Sequence, residues 1–412
     1  MQVILVQNQR APLVIHSLWY KVGAADEPQG KSGIAHFLEH LMFKGSKLVP
    51  PGEFSKIITR NGGTNNAFTS QDYTAYVQKI AREKLAIVMK LEADRMKNLT
   101  FTDKMVSIEK SVVMEERRSR IENNPTSLLY EAARAALFLN HPYKNPVIGW
   151  KHEIEELTKN DALQFYYKFY NPNNAILIIA GDIEEKKVRF LVRKYFGVIP
   201  RGQEVVRNRI KEPPHLAARR IQMASNQFAH PSFFQMFLAP NYRAPNEKIA
   251  YASEVLVEIL GGGRTSRLHQ SLVLDKKIAL SLDAWYGPDS LDIGTFGISG
   301  TPKLGISLST LENAVKSEIY ELIRNGVTEE EVKRAKNSLI SSITYAKDSL
   351  SSIPNIIGMA LSTGRTISDV ENWPNKIQAI TVDHVNKAAR VIFREERSVT
   401  AISRPKKVWN KK

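Results

Sequence analysis

The sequence predicts an α+β protein of two homologous domains, each an antiparallel β-sheet covered by helices. Three observations lead there. The chain has 412 residues, enough for two domains of about 200 residues with a core each. Strand-like and helix-like runs are mixed in order along it. The second half also repeats the first. Trp150-x3-Ile154-x2-Leu157-Thr158-x-Asn160 matches Trp373-x3-Ile377-x2-Ile380-Thr381-x-Asp383, and Thr102-Asp103 with its helix matches Thr328-Glu329 with its own.

In order, the stretch from Met1 and the run Leu13–Tyr20 read as two strands, followed by turn chemistry at Asp26-Glu27-Pro28-Gln29-Gly30. His16 in the second strand reads as a core or surface residue and not as a ligand. A helix runs from Gly33 to about Gly45. Glu53–Arg60 is a short helix closed by Asn61-Gly62-Gly63. Asn66–Thr69 and Tyr73–Lys79 are strands joined by Ser70-Gln71-Asp72, and their polar character predicts an exposed edge. Such an edge can add an extended peptide as a further strand through main-chain groups.

Helices follow over Ala81–Lys97, Thr102–Arg120 and Thr126–Leu139, with Asn123-Asn124-Pro125 as a break. Thr158 caps a helix to about Tyr170, Ala175–Ala180 is an apolar strand, and a last helix runs from Asp182 to Phe196. Arg201–Arg220 is charged, carries Pro213-Pro214 and lacks periodicity, so residues 201–220 are expected to link domains at 1–200 and 221–412. In the repeat, Ala250–Leu260 takes the place of the first helix, and Ala279–Trp285 with Gly294–Ser299 the place of the edge strands.

The chemistry concentrates in Gly33-Ile34-Ala35-His36-Phe37-Leu38-Glu39-His40-Leu41-Met42. His36 and His40 are four apart and stack on one helix face, where two imidazoles can hold one zinc ion. Glu39 borders that face and can take a proton from a water the ion polarises. Burying two imidazoles and a carboxylate in an apolar turn without partners is costly, which favours a ligand over plain core packing.

A third ligand is expected from the helix Thr102–Arg120, which offers Glu109, Glu115 and Glu116. Glu109 and Glu116, seven apart, share a face, and Glu115 points about 100° away from Glu116. One of the sharing pair can bind the metal while the other hydrogen-bonds a ligand histidine. Spacing alone does not say which. The repeat lacks these groups: Glu254, Val257 and Glu258 stand where the first half has His36, Glu39 and His40, and Ser342 stands for Glu116.

Composition narrows the classes. There are no cysteines, which excludes disulfides and thiolate metal sites, and no apolar run approaches the roughly 18 residues of a membrane span. The net charge of +16 suggests nucleic acid at first sight, but the basic residues are spread out except in the tail from Arg404 to Lys412. We read the charge as a solvated surface favouring acidic partners or substrates. The chain opens on a strand pattern without a signal peptide.

His36-Phe37-Leu38-Glu39-His40, with Glu109-x-x-Val112-Val113-x-Glu115-Glu116-Arg117-Arg118, Gly62-Gly63-x-x-Asn66-Ala67-Phe68-Thr69-Ser70 and Gly261-Gly262-Gly263-Arg264-Thr265-Ser266-Arg267-Leu268, resembles the pitrilysin/insulinase family of inverzincin metallopeptidases. The nearest branch is that of short bacterial zinc proteases related to the mitochondrial processing peptidase. The resemblance covers nearly the whole chain.

It implies a zinc metalloendopeptidase with His36, His40 and Glu116 as zinc ligands, Glu39 as general base and Glu109 as the carboxylate behind a ligand histidine. It further implies Asn66, Ala67 and Phe68 as the substrate-binding edge. Two domains clasping another two would enclose a chamber that limits substrates by size. Active members often carry an Arg and a Tyr, seven apart, in the second half; Val273 and Leu280 stand there instead, and neither can donate to an oxyanion.

The chain thus resembles the metal-holding subunit of a homodimer or a heterodimer whose partner supplies the Arg/Tyr pair. The alternative is a non-catalytic assembly subunit of the same fold. In the family the first strand usually follows more residues, so a periplasmic location is expected if an export signal lies upstream and a cytoplasmic one otherwise.

Overall fold

A computed structural model describes residues 1–406; Lys407, Lys411 and Lys412 of the basic tail lie outside the described residues. The strands are β1 (Gln2–Gln7), β2 (Leu13–Tyr20), β3 (Thr64–Thr69), β4 (Thr74–Ala81), β5 (Ala175–Gly181), β6 (Arg219–Ser225), β7 (Ser232–Ala239), β8 (Ala279–Gly287), β9 (Gly294–Pro302) and β10 (Ser398–Pro405). Helices α1 (Ile34–Leu41), α2 (Glu53–Arg60), α3 (Leu85–Asn98), α4 (Asp103–Arg117), α5 (Pro125–Leu137), α6 (Lys151–Glu156), α7 (Lys159–Phe169) and α8 (Glu185–Tyr195) lie in the first half. The second half holds α9 (Glu247–Gly261), α10 (Leu308–Asn325), α11 (Glu329–Asp348), α12 (Ser352–Ser362), α13 (Ile367–Glu371), α14 (Trp373–Gln378) and α15 (Val382–Ile392).

The strands form two five-stranded sheets, ordered β1-β5-β2-β4-β3 and β6-β10-β7-β9-β8. Replacing each strand of the first by the strand five places later gives the second, so the repeat read in the sequence is a repeat of topology. Four strands of each sheet are antiparallel. The outermost strand, β1 or β6, instead joins its neighbour in parallel, so the sheets are mixed. A parallel neighbour needs a long crossover, and β1 and β5 are separated by most of the first half. β5 is buried at every residue, as an apolar run covered on both faces should be.

The chain packs as two compact units that are not contiguous in sequence. One comprises Met1–Arg118, Asn145–Ile210 and Ala346–Ile367; the other takes Ser119–Lys144, Lys211–Tyr345 and the chain from Ser368. Each unit therefore borrows a helix from the opposite half of the sequence. In the first unit α12 lies on β2 and β5, with Gly358 so close to Trp19 that a Cβ would overlap the indole. In the second, α5 lies on β6 and β10, and Tyr130 meets Phe234 at 5.9 Å.

The core of the first unit joins Leu18, Tyr20, Tyr76, Leu177 and Ile179 of the sheet to Phe37, Leu38 and Leu41 of α1 and Val106 and Val113 of α4. His16 is a core residue: its Nδ1 lies 3.0 Å from Gln78 Oε1, and burial lowers its pKa. Arg95, 1% exposed, pairs with the fully buried Glu92 through bonds of 2.7 and 2.6 Å. Its guanidinium lies among the rings of Phe43, Phe54 and Tyr76, so the buried charges are paired and the cation is stacked.

In the second unit, Arg267 holds Glu331 bidentately at 2.5 and 2.7 Å and donates to Gly326 O at 2.9 Å. Burial raises the Glu331 pKa, but the Arg267 and Thr328 hydrogen bonds outweigh it and bring it down to about 2. A depressed carboxylate pKa stabilises the fold above the unfolded value near 4.5, and the contribution is lost as pH falls through about 2. Glu331→Gln is therefore expected to cost about 1–2 kcal/mol at pH 7, discounted for partial exposure. The difference from the native chain should shrink steadily below about pH 4.5 in denaturant titrations.

Candidate metal centre

Helix α1 lacks an ordinary cap. Its first turn follows Gly33 at φ 87°, a conformation that favours glycine, and a Cβ there would sit 2.5 Å from Ile148 O. The buried Glu27 carboxylate serves instead, accepting from Gly33 N at 3.0 Å and Ala35 N at 2.9 Å. Ser32 N donates to Glu153, and Trp150 N donates to Ser32 Oγ, so the start of α1 is tied to the loop before α6. Arg117, at the end of α4, donates to Gly149 O in that loop at 2.8 Å. The beginning of α1 and the end of α4 thus share one anchor.

That anchoring brings three ligand-type side chains together. One ligand atom from each of His36, His40 and Glu116 lies within 4.8 Å of the others. Glu116 Oε2 is 3.2 Å from His40 Nε2 and 3.8 Å from His36 Nε2. The two rings are 4.8 Å apart at 65°, as expected for side chains stacked one turn apart. Glu109 lies one turn pair earlier on α4, 3% exposed, with Oε1 2.8 Å from His40 Nδ1 and Oε2 2.5 Å from Lys44 Nζ. Glu115 points outward and pairs with Arg118 at 2.7 Å. Geometry thus separates the glutamates that spacing left open: Glu116 faces both Nε2 atoms, and Glu109 holds the far side of one ring.

The electrostatics suit a cation. Burial works against a charged His40 ring, but hydrogen bonds and charge from Glu109 and Glu116 outweigh it and raise its pKa to about 9. Burial likewise pushes Glu109 up, while His40 and Lys44 hold it below the ordinary carboxylate value. Two imidazole nitrogens and a carboxylate oxygen converge here on partly buried side chains, a donor set that could hold a metal ion and that zinc accepts.

Glu39, 9% exposed, lies on the same helix between the two histidines and accepts a hydrogen bond from Thr69 Oγ1 at 2.6 Å. Thr69 ends β3, which is the edge strand of its sheet. Of the expected substrate residues on β3, Asn66 is exposed and Ala67 is half-buried against the core. Phe68 packs on Trp19 at 5.4 Å and Tyr73 at 6.3 Å, so that ring belongs to the fold. What β3 offers outward is its main chain.

The equivalents in the repeat do other work. Glu254 accepts from Tyr242 Oη at 2.7 Å and from Trp373 Nε1 at 3.2 Å. Glu258 lines a cavity of about 150 Å³ with Glu331 and Arg334. Val273 packs on the core, and Leu280 is 61% exposed. Three contacts could not be read from the sequence: the Glu27 cap, the Lys44 ion pair and the Thr69 bond. Each links segments whose separation carries no periodic signal. No helix among the described residues is long and apolar enough to cross a membrane.

Comparison with known proteins assigns the two halves to different domain models of one family. Residues 2–151 match the family described as insulinase (peptidase family M16), and residues 156–339 match the peptidase M16 inactive domain. The zinc protease PqqE of Helicobacter pylori is 29% identical over 410 residues, covering 98% of this chain and 91% of that protein. An uncharacterized zinc protease of Bacillus subtilis is 26% identical over 407 residues, covering 98% and 96%. Among solved structures, a protease from Helicobacter pylori superposes with a TM-score of 0.90 at 27% identity, covering 97% of this chain and 96% of that one. The chain belongs to the M16, or insulinase, family of peptidases.

Proposed function

We propose that the protein is a zinc metalloendopeptidase, or the metal-bearing subunit of one, acting on extended peptides. The observation that carries the reading is the convergence of His36 Nε2, His40 Nε2 and Glu116 Oε2, with Glu39 on the same helix as the histidines accepting from Thr69 at the end of edge strand β3. The names of the zinc protease relatives support the choice of metal. His36, His40 and Glu116 would hold the zinc, which supplies a Lewis acid for water and for the peptide carbonyl.

The rest falls to the chain's own groups. Glu39 takes a proton from the water that attacks the carbonyl and delivers it to the leaving amine. Glu109 fixes the His40 ring through Nδ1, leaving Nε2 directed at the site. The outer edge of β3 at Asn66, Ala67 and Phe68 binds the peptide as an added strand, with little demand on its sequence. The purified chain should contain one zinc and, together with any partner it needs, cleave an unstructured peptide, with activity lost on chelation and restored by zinc; a metal-free chain that stays so after zinc addition overturns the reading. Glu109→Gln is expected to weaken zinc binding about 10- to 100-fold, read by chelator competition, with little change in folding.

Val273 and Leu280 favour a second component. Neither can donate a hydrogen bond to the oxyanion, and a second copy would carry the same two residues, so the proposal includes a homologous partner subunit that carries the donors. Assaying cleavage by the chain alone and with a candidate partner separates three cases. Activity alone makes the donors dispensable. Activity only in the mixture identifies a catalytic subunit. Activity in neither favours the non-catalytic assembly subunit.

A further inference from the structure

We infer that Thr69 is a positioning residue for the general base, and that it couples the peptide-binding edge strand to Glu39. The inference rests on the role given to Glu39 above. A carboxylate has two oxygens, and the Thr69 hydroxyl has one proton to give. At 2.6 Å the Thr69 Oγ1–Glu39 Oε2 contact lies in the range of charge-assisted bonds. One oxygen of Glu39, Oε2, is thereby held in a fixed place relative to β3. Glu39 has three rotatable bonds of its own, and the bond to Thr69 narrows the orientations its carboxylate samples.

The holder itself is fixed. Thr69 pairs with Thr74 across the β3–β4 hairpin, and Thr74 Oγ1 donates to Val22 O at 3.0 Å. Ser70 N donates to Tyr73 O at 2.8 Å, while Ser70 Oγ accepts from Asp72 N and Tyr73 N at 3.2 and 3.3 Å. Arg209 then clamps Asp72 at 2.5 Å and Asp26 at 2.8 Å, with all three side chains at most 5% exposed.

Strand alternation does the rest. Asn65, Ala67 and Thr69 share a face, and contacts identify it as the helix side: Asn65 Nδ2 donates to Ser55 Oγ of α2 at 3.2 Å, and Ala67 packs on the core beside α1. A peptide added to the edge of β3 is therefore hydrogen-bonded to the same main chain that carries the holder of the base. Register of the peptide and orientation of Glu39 are set by one strand.

The test compares Thr69→Val, which keeps shape and β-branching, with Thr69→Ser, which keeps the hydroxyl, and with Glu39→Gln. Activity is measured on the chain together with any partner it needs. In Thr69→Val, kcat should fall about 10- to 100-fold with KM within about threefold, and Thr69→Ser should recover to within about threefold of the native value. Zinc affinity should be unchanged in both, and a crystal structure of zinc-loaded Thr69→Val should show the Glu39 carboxylate displaced. The inference is overturned if Thr69→Val turns over like the native chain, if Ser is as damaging as Val, or if the carboxylate has not moved. An inactive Glu39→Gln beside a fully active Thr69→Val refutes this inference alone; an active Glu39→Gln refutes the reading beneath it.

Discussion

Glu39→Gln should leave a folded, zinc-loaded chain that no longer cleaves peptides. The amide has the volume of the carboxylate and can still accept from Thr69, so the bond between the helix and the hairpin is kept. It cannot take a proton at neutral pH. Loss of a positioned base costs about 10²- to 10⁴-fold in rate, and we expect the upper end because the neighbouring carboxylates, Glu109 and Glu116, face the imidazoles. Zinc content by elemental analysis and cleavage of an unstructured peptide, measured on one preparation, check both halves of the statement. Cleavage at the native rate would remove Glu39 from the mechanism.

The second large effect is expected at Glu116 and is sharpened by its neighbour. Glu116→Gln removes the carboxylate that faces both Nε2 atoms, leaving two imidazoles to hold an ion. Zinc affinity should fall by more than the 10- to 100-fold typical of an outer hydrogen-bond partner. Glu115→Gln, one residue away on the same helix, should change nothing beyond a surface ion pair with Arg118. Neither substitution should unfold the chain, because α4 is held through Val106 and Val113 on its inner side. Equal losses at both positions would mean that the orientation of α4 described here is wrong.

The contrast between those two glutamates shows where sequence reading stops. Residues seven apart on a helix share a face whatever else the chain does, so Glu109 and Glu116 could be grouped, and Glu115 set aside, from spacing. Which of the two faces both imidazoles depends on how α4 crosses α1. That crossing is set by the Gly33 and Gly149 backbones and by Arg117, none of which carries a local signal. The resemblance to a known family pointed to Glu116, and the distances agree with it.

Edge strand β3 was legible from its polarity, because a strand with one free side has little to gain from apolar residues. Its link to Glu39 was not, since a threonine at a strand end reads as ordinary β-propensity. The parallel outer strands and the exchange of α5 and α12 were equally hidden. β1 and α12 have patterns that suit several neighbours, and the choice among them is made where the chain returns.

What the sequence determined alone is everything carried by short-range periodicity and by self-comparison: two copies of one α+β fold, a helix bearing two imidazoles and a carboxylate in one copy only, and an edge hairpin after it. Tertiary structure alone decided the partners of those groups: Glu116 opposite both rings, Glu109 and Lys44 behind one of them, Glu27 at the helix start and Thr69 on Glu39. The reason is one of range. Helix and strand patterns repeat every few residues, whereas a carboxylate and the atom it meets are joined only by the packing between them, and many intervening sequences achieve the same packing.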